Sequence, residues 1–170
     1  KYFSNRPEVY GYLREFRDEV LKDYDCFTVG ESPLTNADIA LKYVTEGEGQ
    51  VLNEMIAFSH MEADCFMTDM LRLPFSLRKM KRAFSDWQYK LAGKGWNALY
   101  IENHDHARII SRYGSEDYPV ESGKLLAAMY ILQRGTPFIY QGQEIGMTNI
   151  RLPEIGMYKD VASHNNYRIF

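Results

Sequence analysis

The sequence has little cysteine and no long apolar run. Two cysteines, Cys26 and Cys65, occur in 170 residues, and their spacing is not that of a metal-binding pair, so we expect reduced thiols in a cytoplasmic protein. No stretch approaches the roughly 20 apolar residues that a membrane-spanning helix needs, and we expect no signal peptide. These features argue against a membrane partner and against a metal site built on cysteine.

Positive charge is also scarce. The net charge is −3 and the isoelectric point is near 5.8, and the densest basic run, residues 78–82, has the pattern of a solvated helix face. We expect no nucleic-acid partner, because no basic stripe is available to contact phosphates. Gly-x-Gly-x-x-Gly and Walker motifs are missing too, so no nucleotide cofactor is expected. The 45% hydrophobic content is that of one globular domain with a sizeable core.

What the chain does contain is four short apolar runs that each end in polar residues. The runs cover residues 26–29, 55–58, 98–101 and 138–140, and the polar exits are residues 30–32, 59–62, 102–106 and 141–144. A strand that is apolar along its length and polar only at its exit is typical of a parallel sheet buried on both faces. Because parallel strands end at the same edge, the four exits predict one shared site.

Helical periodicity fills the segments between these runs. We predict helices over residues 7–24, 35–43, 76–91 and 121–133 and a loop over 147–170. Thr35 and Ser76 are the predicted N-caps, and Leu125, Met129 and Leu132 are the predicted buried stripe of the last helix. Strand–helix alternation predicts an α/β fold with right-handed crossovers. Four such units are too few for a closed (β/α)8 barrel of about 250 residues, which leaves half a barrel or an open sheet.

Two carboxylates at the exits suggest glycoside hydrolysis. Glu31 and Asp105 each follow an apolar run, and that reaction needs one carboxylic acid as proton donor and a second group that stays charged. A surface charge is the alternative for each. A rival hypothesis is a metal-dependent barrel hydrolase that uses His60, His104 and His106, although no fourth ligand is apparent.

Six motifs carry a resemblance to a known family. They are TVGE at 28–31, GWNALY at 95–100, ENHD at 102–105, SRYG at 111–114, GTPFIYQG at 135–142 and EIGMTN at 144–149. The first and third resemble two signatures of the α-amylase superfamily, glycoside hydrolase family 13. The whole set is similar to its oligo-1,6-glucosidase and α-glucosidase branch. The resemblance implies a retaining hydrolase of α-glucosidic bonds in short isomalto- and malto-oligosaccharides, without a cofactor or a metal.

The same resemblance assigns roles to eight residues. Glu31 would be the general acid/base at the end of the fifth barrel strand, and Asp105 the transition-state-stabilising carboxylate at the end of the seventh. His104 would bind sugar hydroxyls. The other residues expected to contact or surround the substrate are Phe58, His60, Asn103, His106 and Arg108. Core packing is an equal alternative for Phe58, and loop hydrogen bonding for Asn103.

Two expected parts of the family pattern are missing. The chain has no Asp-x-x-x-Asn-His motif of the third strand and no Gly-x-Arg-x-Asp motif of the fourth, which supplies the nucleophile. The resemblance therefore implies that residues 1–170 form a partial catalytic domain, the C-terminal half (strands five to eight) of a TIM barrel. The N-terminal half-barrel and the C-terminal β domain would be absent, and the chain inactive alone.

Two consequences follow for partners and function. Half a barrel has two open sheet edges, so we expect the missing half or self-association to cover them. Some amylase-like domains are non-catalytic ancillary or binding modules, and that function stays open as an alternative.

The branch commonly has Gln-Pro-Arg after Asn-His-Asp, whereas this chain has His106-Ala107-Arg108. His106 would face the aglycone side and affect linkage preference.

Overall fold

The computed structural model describes residues 4–66 and 68–169. In chain order the elements are α1 (Pro7–Glu19), β1 (Val29–Gly30), α2 (Ala37–Val44), β2 (Glu54–Ile56), β3 (Cys65–Phe66), β4 (Thr68–Arg72), α3 (Leu77–Leu91), β5 (Trp96–Leu99), α4 (Ile109–Tyr113), α5 (Pro119–Ile131), β6 (Thr136–Pro137) and α6 (Val161–Ile169). Single 3₁₀ turns lie at Leu21–Asp23, Ser59–Glu62, Gln143–Ile145 and Ile155–Met157.

Four of the strands form one parallel sheet in the order β1-β2-β5-β6, and β3 and β4 form a separate antiparallel hairpin. Glu54 of β2 pairs with Val29 on one side and with Trp96 on the other. Each parallel neighbour is reached through a helix, as the alternation predicted, so the α/β class is confirmed. The carboxyl ends of all four strands lie on the same edge of the sheet.

Three strands are shorter than their apolar runs and β5 is as long as its run, and β2, β5 and β6 begin earlier than predicted. Backbone pairing in β5 stops at Leu99, yet Tyr100 and Ile101 are 5% and 0% exposed. The apolar run therefore reports burial rather than strand pairing. In the last run, pairing covers Thr136–Pro137, ahead of the predicted residues 138–140.

Of the two predicted N-caps, the one of α3 is confirmed and the one of α2 is wrong. Ser76 caps α3 as predicted, since its hydroxyl accepts a hydrogen bond from the Lys79 amide at 3.3 Å. The α2 cap is Asn36 instead of Thr35, because the Asn36 side chain accepts from the Ile39 amide at 2.9 Å. Thr35 is buried, and its hydroxyl accepts a hydrogen bond from Asn5. Either residue type can cap a helix, so the sequence could not separate the two.

The buried stripe predicted for the last helix was wrong at two of its three positions. Leu125 in α5 and Leu132 just after it are 72% and 82% exposed, whereas Met129 is partly buried against the core, as predicted. The fully buried residues of α5 are Leu126 and Tyr130. The helix is apolar over most of its circumference, so periodicity selected the wrong face. The segment predicted as loop contains α6, Val161–Ile169.

Two hydrophobic clusters cover the sheet. One joins α2, α3 and β2 through Val44, Met55 and Trp87. The other surrounds Ile101 and Tyr130 beyond the end of β5, so the exit of β5 rests on packed core. Within residues 4–66 and 68–169, no helix is both long and apolar enough to cross a membrane.

Candidate active site

Glu31 directly follows β1 and is exposed at the carboxyl edge of the sheet. Its strand is tied to β2, because the Thr28 amide and hydroxyl both donate to the Asn53 side-chain oxygen at 2.8 Å. A Cβ at Gly30 would lie 2.5 Å from a Leu52 methyl carbon, so the Leu52 side chain would have to move to accept a larger residue before Glu31. These contacts fix the backbone that presents the Glu31 carboxylate to solvent.

The turn after β5 carries three of the predicted site residues. The Asn103 side-chain oxygen accepts a hydrogen bond from the Asp105 amide at 3.0 Å. His104 Nε2 lies 3.5 Å from Asp105 Oδ1, and the two side chains are 71% and 58% exposed. The Asp105 carboxylate is therefore accessible to a ligand, and Asn103 shapes the turn that presents it.

The sheet order relates the two carboxylates. Glu31 follows β1 and Asp105 follows β5, and β2 lies between these strands. Both residues therefore project from the same edge of the sheet, from strands that have one other strand between them. The exit of β2, which carries Phe58 and His60, separates them.

Three ring side chains, those of Phe58, Phe84 and His106, pack around His60 of the β2 exit and Tyr100 of the β5 exit. Phe58 packs edge-on against Tyr100 with 5.9 Å between centroids, and the His106 ring is nearly parallel to Tyr100 at 6.3 Å. His106 and Phe58 are both half-buried and lie 6.4 Å apart. The two residues predicted near the substrate thus contact the same tyrosine. Phe84 stacks on His60 at 5.0 Å.

His60 lies at the exit of β2, as predicted, and is almost fully buried. It is 3% exposed and packs against Tyr100 and Phe84, and its role beside a substrate stays a prediction. Burial lowers the pKa of His60 to about 3, although a hydrogen bond to the Tyr100 backbone acts in the opposite direction. The imidazole is therefore neutral at physiological pH.

The side chain and the backbone amide of Arg108 are both fixed by contacts with other residues of the chain. Its guanidinium forms an ion pair with Glu102 and donates to the Gln141 carbonyl at 2.8 Å. It also lies 4.9 Å from the centroid of the Tyr140 ring. The backbone amide of Arg108 donates to the Asn149 side chain at 2.8 Å. Arg108 therefore joins the exit of β5 to the exit of β6.

A second buried ion pair joins the exit of β2 to α4. Asp64 accepts hydrogen bonds from Arg112 at 2.6 and 3.0 Å, from Arg72 at 3.1 Å and from the Tyr113 hydroxyl at 3.2 Å. Burial alone would raise the pKa of Asp64, but the hydrogen bonds and charge of Arg112, with help from Cys65 and Arg72, lower it to about 2. Asp64 is therefore a permanent anion.

The sequence reasoning gave no role to Glu102, Tyr100 or Asp64. The signal for Glu102 was present, since a carboxylate directly after an apolar run and six residues before an arginine suits a buried ion pair. Tyr100 belongs to an apolar run and to the GWNALY motif, and neither assigns it a role. Nothing local marks Asp64, because its partner Arg112 is distant in sequence.

The three imidazoles of the rival metal hypothesis do not converge. His104 is exposed, His60 is buried, and His106 packs on Tyr100. In the part of the chain that the structure describes, no three His, Cys, Asp or Glu side chains form a group that would hold a metal ion.

Comparison with known proteins assigns the family. A family model described as the catalytic domain of alpha amylase matches residues 1–168. The chain belongs to the α-amylase catalytic domain family.

Relatives within the α-amylase family include enzymes with two different names. The chain is 42% identical over 170 residues to the oligo-1,6-glucosidase of Parageobacillus thermoglucosidasius, an alignment that covers 99% of the chain and 30% of the relative. It is 40% identical over 172 residues to the trehalose-6-phosphate hydrolase of Bacillus subtilis strain 168, with 99% and 30% covered. The crystal structure of the Bacillus licheniformis trehalose-6-phosphate hydrolase superposes with a TM-score of 0.89 at 41% identity, covering 96% of the chain and 30% of that structure. The chain thus spans about 30% of the length of these relatives.

Proposed function

We propose that this chain supplies two catalytic carboxylates of a retaining α-glucoside hydrolase. One observation carries the proposal: Glu31 and Asp105 project from the same carboxyl edge of a parallel sheet in a chain 42% identical to an oligo-1,6-glucosidase. Enzymes with barrel sheets place their chemistry at this edge. The substrates would be short α-linked gluco-oligosaccharides of the isomalto and malto type.

The proposed roles follow from the position of each group. Glu31 protonates the glycosidic oxygen as the bond breaks and then deprotonates the attacking water. Asp105 stays charged and stabilises the cationic sugar of the transition state. His104 and Asn103 bind sugar hydroxyls beside it, and His106 shapes the aglycone side.

A third carboxylate is required from outside this chain. Retaining chemistry needs a nucleophile about 5–5.5 Å from the acid/base, and the family motif that supplies it does not occur in residues 1–170. We therefore assign β1, β2, β5 and β6 to strands five to eight of a TIM barrel, of which residues 1–170 are the C-terminal half. The N-terminal half would supply the nucleophile and pair with the free edges of β1 and β6.

The test is a chimera in which these 170 residues replace the matching segment of the Parageobacillus thermoglucosidasius oligo-1,6-glucosidase. The chimera should release glucose from isomaltose, and Glu31→Gln and Asp105→Asn should each lower kcat by about 100-fold or more. Glu144→Gln is the matched control, because Glu144 is also an exposed carboxylate at the carboxyl edge. It should leave kcat unchanged.

Three results would contradict the proposal. One is a folded chimera that binds isomaltose without hydrolysing it, which would favour the alternative of a non-catalytic binding module. Another is full activity after either carboxylate is neutralised. Release of glucose from isomaltose by the isolated chain would contradict the assignment of the nucleophile to a missing half.

A further inference from the structure

We propose that Glu102 is a positioning residue that holds the Asp105 turn in its reactive geometry; this rests on the proposed function. The Glu102 side chain is 1% exposed and lies at the exit of β5, where the apolar run ends. A carboxylate this deeply buried is stable only if both of its oxygens are paired. Its pairing partners therefore indicate what the residue does.

Both Glu102 oxygens bind groups on the far side of the turn. Oε1 pairs with the Arg108 guanidinium, and Oε2 accepts a hydrogen bond from the Ile109 amide at 2.8 Å. Ile109 is the first residue of α4. The loop 103–107 thus begins directly after Glu102 and ends directly before Arg108 and Ile109, which the Glu102 carboxylate binds. The carboxylate therefore holds the two ends of the loop together.

Contacts within the loop are weaker than this anchor. The Asp105 amide bonds to Asn103, and the Asp105 carboxylate lies 3.5 Å from an exposed imidazole. Hydrogen bonds and ion pairs exposed to water contribute little to order. His106 also holds the loop, through its packing against Tyr100 and Phe58, but Glu102 is the residue that joins the start of the turn to its end. The orientation of Asp105 relative to the sheet therefore depends in large part on Glu102.

Arg108 extends the anchor to the next strand exit. The same nitrogen that pairs with Glu102 donates to the Gln141 carbonyl, and the other terminal nitrogen lies 3.6 Å from the Met147 sulfur. Glu102 therefore also sets the distance between the Asp105 turn and the exit of β6. A fixed charge stabilises a transition state only if it is held in place before the reaction starts.

The first experiment uses the chain itself. Glu102→Gln should lower the backbone order parameters of residues 103–107 in ¹⁵N relaxation measurements. Asp64→Asn is the matched control, because it breaks another buried ion pair of α4 without touching the loop. It should destabilise the fold and leave the order of 103–107 unchanged. Unchanged order in Glu102→Gln, or an equal loss in both variants, would overturn the proposal.

The second experiment uses the barrel chimera and a cationic glucose-configured iminosugar, whose charge reports on Asp105. Glu102→Gln should weaken iminosugar binding about tenfold or more, and should add little to the loss caused by Asp105→Asn, because both changes act on the same carboxylate. Additive losses would assign Glu102 a purely structural role. Arg108→Lys keeps a cation near Glu102 and should give a smaller loss, which provides a test if Glu102→Gln does not fold.

The two proposals fail in distinguishable ways. If the unmodified chimera folds and does not bind the iminosugar, the proposed function is wrong, and the relaxation data on the chain still decide whether Glu102 orders the loop. If the chimera binds and Glu102→Gln binds equally well, the proposed function stands and the positioning role is wrong.

Discussion

The imidazole of His60 packs edge-on against the phenol ring of Tyr100, with 5.0 Å between the ring centroids. Tyr100 in turn contacts both Phe58 and His106, the two half-buried residues predicted near the substrate. A buried, neutral histidine thus sets the position of the aromatic group that lies between the exits of β2 and β5.

Acid should destabilise the fold through His60. Its pKa is about 3 in the folded chain and near its ordinary 6.5 when unfolded. Between these values the unfolded state binds a proton that the folded state does not. Stability should therefore fall as the pH drops below about 6.5, by up to about 1.4 kcal/mol per pH unit. Urea unfolding between pH 7 and pH 4.5 measures this dependence.

The variants for that measurement are a pair of histidines. His60→Gln cannot titrate and should flatten the pH dependence of the unfolding free energy. His104→Gln removes an exposed imidazole and should leave it unchanged. If the wild-type chain and His60→Gln lose stability equally as the pH falls, the buried histidine is not the cause.

Removal of the Asp64 charge should strongly lower the unfolding free energy. Asp64→Asn leaves the buried Arg112 guanidinium, 3% exposed, without its counter-charge, and we expect a loss of about 3–5 kcal/mol in unfolding free energy. Asp86→Asn is the control, because its ion pair with Lys90 is exposed and should contribute less than about 1 kcal/mol. Equal losses in the two variants would mean that burial does not determine the strength of these pairs.

Gly135 should not tolerate a side chain. Its φ is +151°, and a Cβ there would lie 2.4 Å from the Asn97 carbonyl oxygen and 2.7 Å from Leu99 Cγ. Gly47 also has a positive φ, +118°, but a Cβ there meets nothing within 4 Å. Gly135→Ala should therefore lose at least about 2 kcal/mol more than Gly47→Ala. Thermal melts of the two variants measure the difference, and similar melting temperatures would contradict the close approach of backbone to β5.

Replacement of the α2 N-cap, Asn36, should have a smaller effect on the unfolding free energy. Asn36→Ala should lower the unfolding free energy by about 1 kcal/mol, because the Ile39 amide loses its acceptor. Asn36→Ser keeps an acceptor oxygen and should restore most of the loss. A Ser variant as unstable as the Ala variant would show that the side chain acts in some other way.

The sequence predicted the parts of the fold that depend on local chemistry. Strand–helix alternation gave the α/β class, Ser76 marked the start of α3, and the polar exits marked the edge that carries Glu31 and Asp105. These features need only neighbouring residues to be recognised. For the same reason the apolar run 98–101 located β5 but misjudged where its pairing stops.

The parts that the sequence did not predict depend on distant contacts. The choice between Thr35 and Asn36 as cap was decided by Asn5, which binds Thr35. The burial of His60 depends on Phe84 and Tyr100 packing around it. Neither contact leaves a local pattern, so the sequence could place His60 at a strand exit without showing that it points into the core.

The outer strands of the sheet are two residues long on both sides, Val29–Gly30 and Thr136–Pro137. Pro137 has no amide hydrogen to offer, and so brief a rim is a poor template for an arbitrary extended peptide. Indiscriminate recruitment of copies into fibrils is thereby disfavoured. A stable association at these edges therefore requires complementary side-chain surfaces in addition to backbone pairing, and this restricts the set of possible partners.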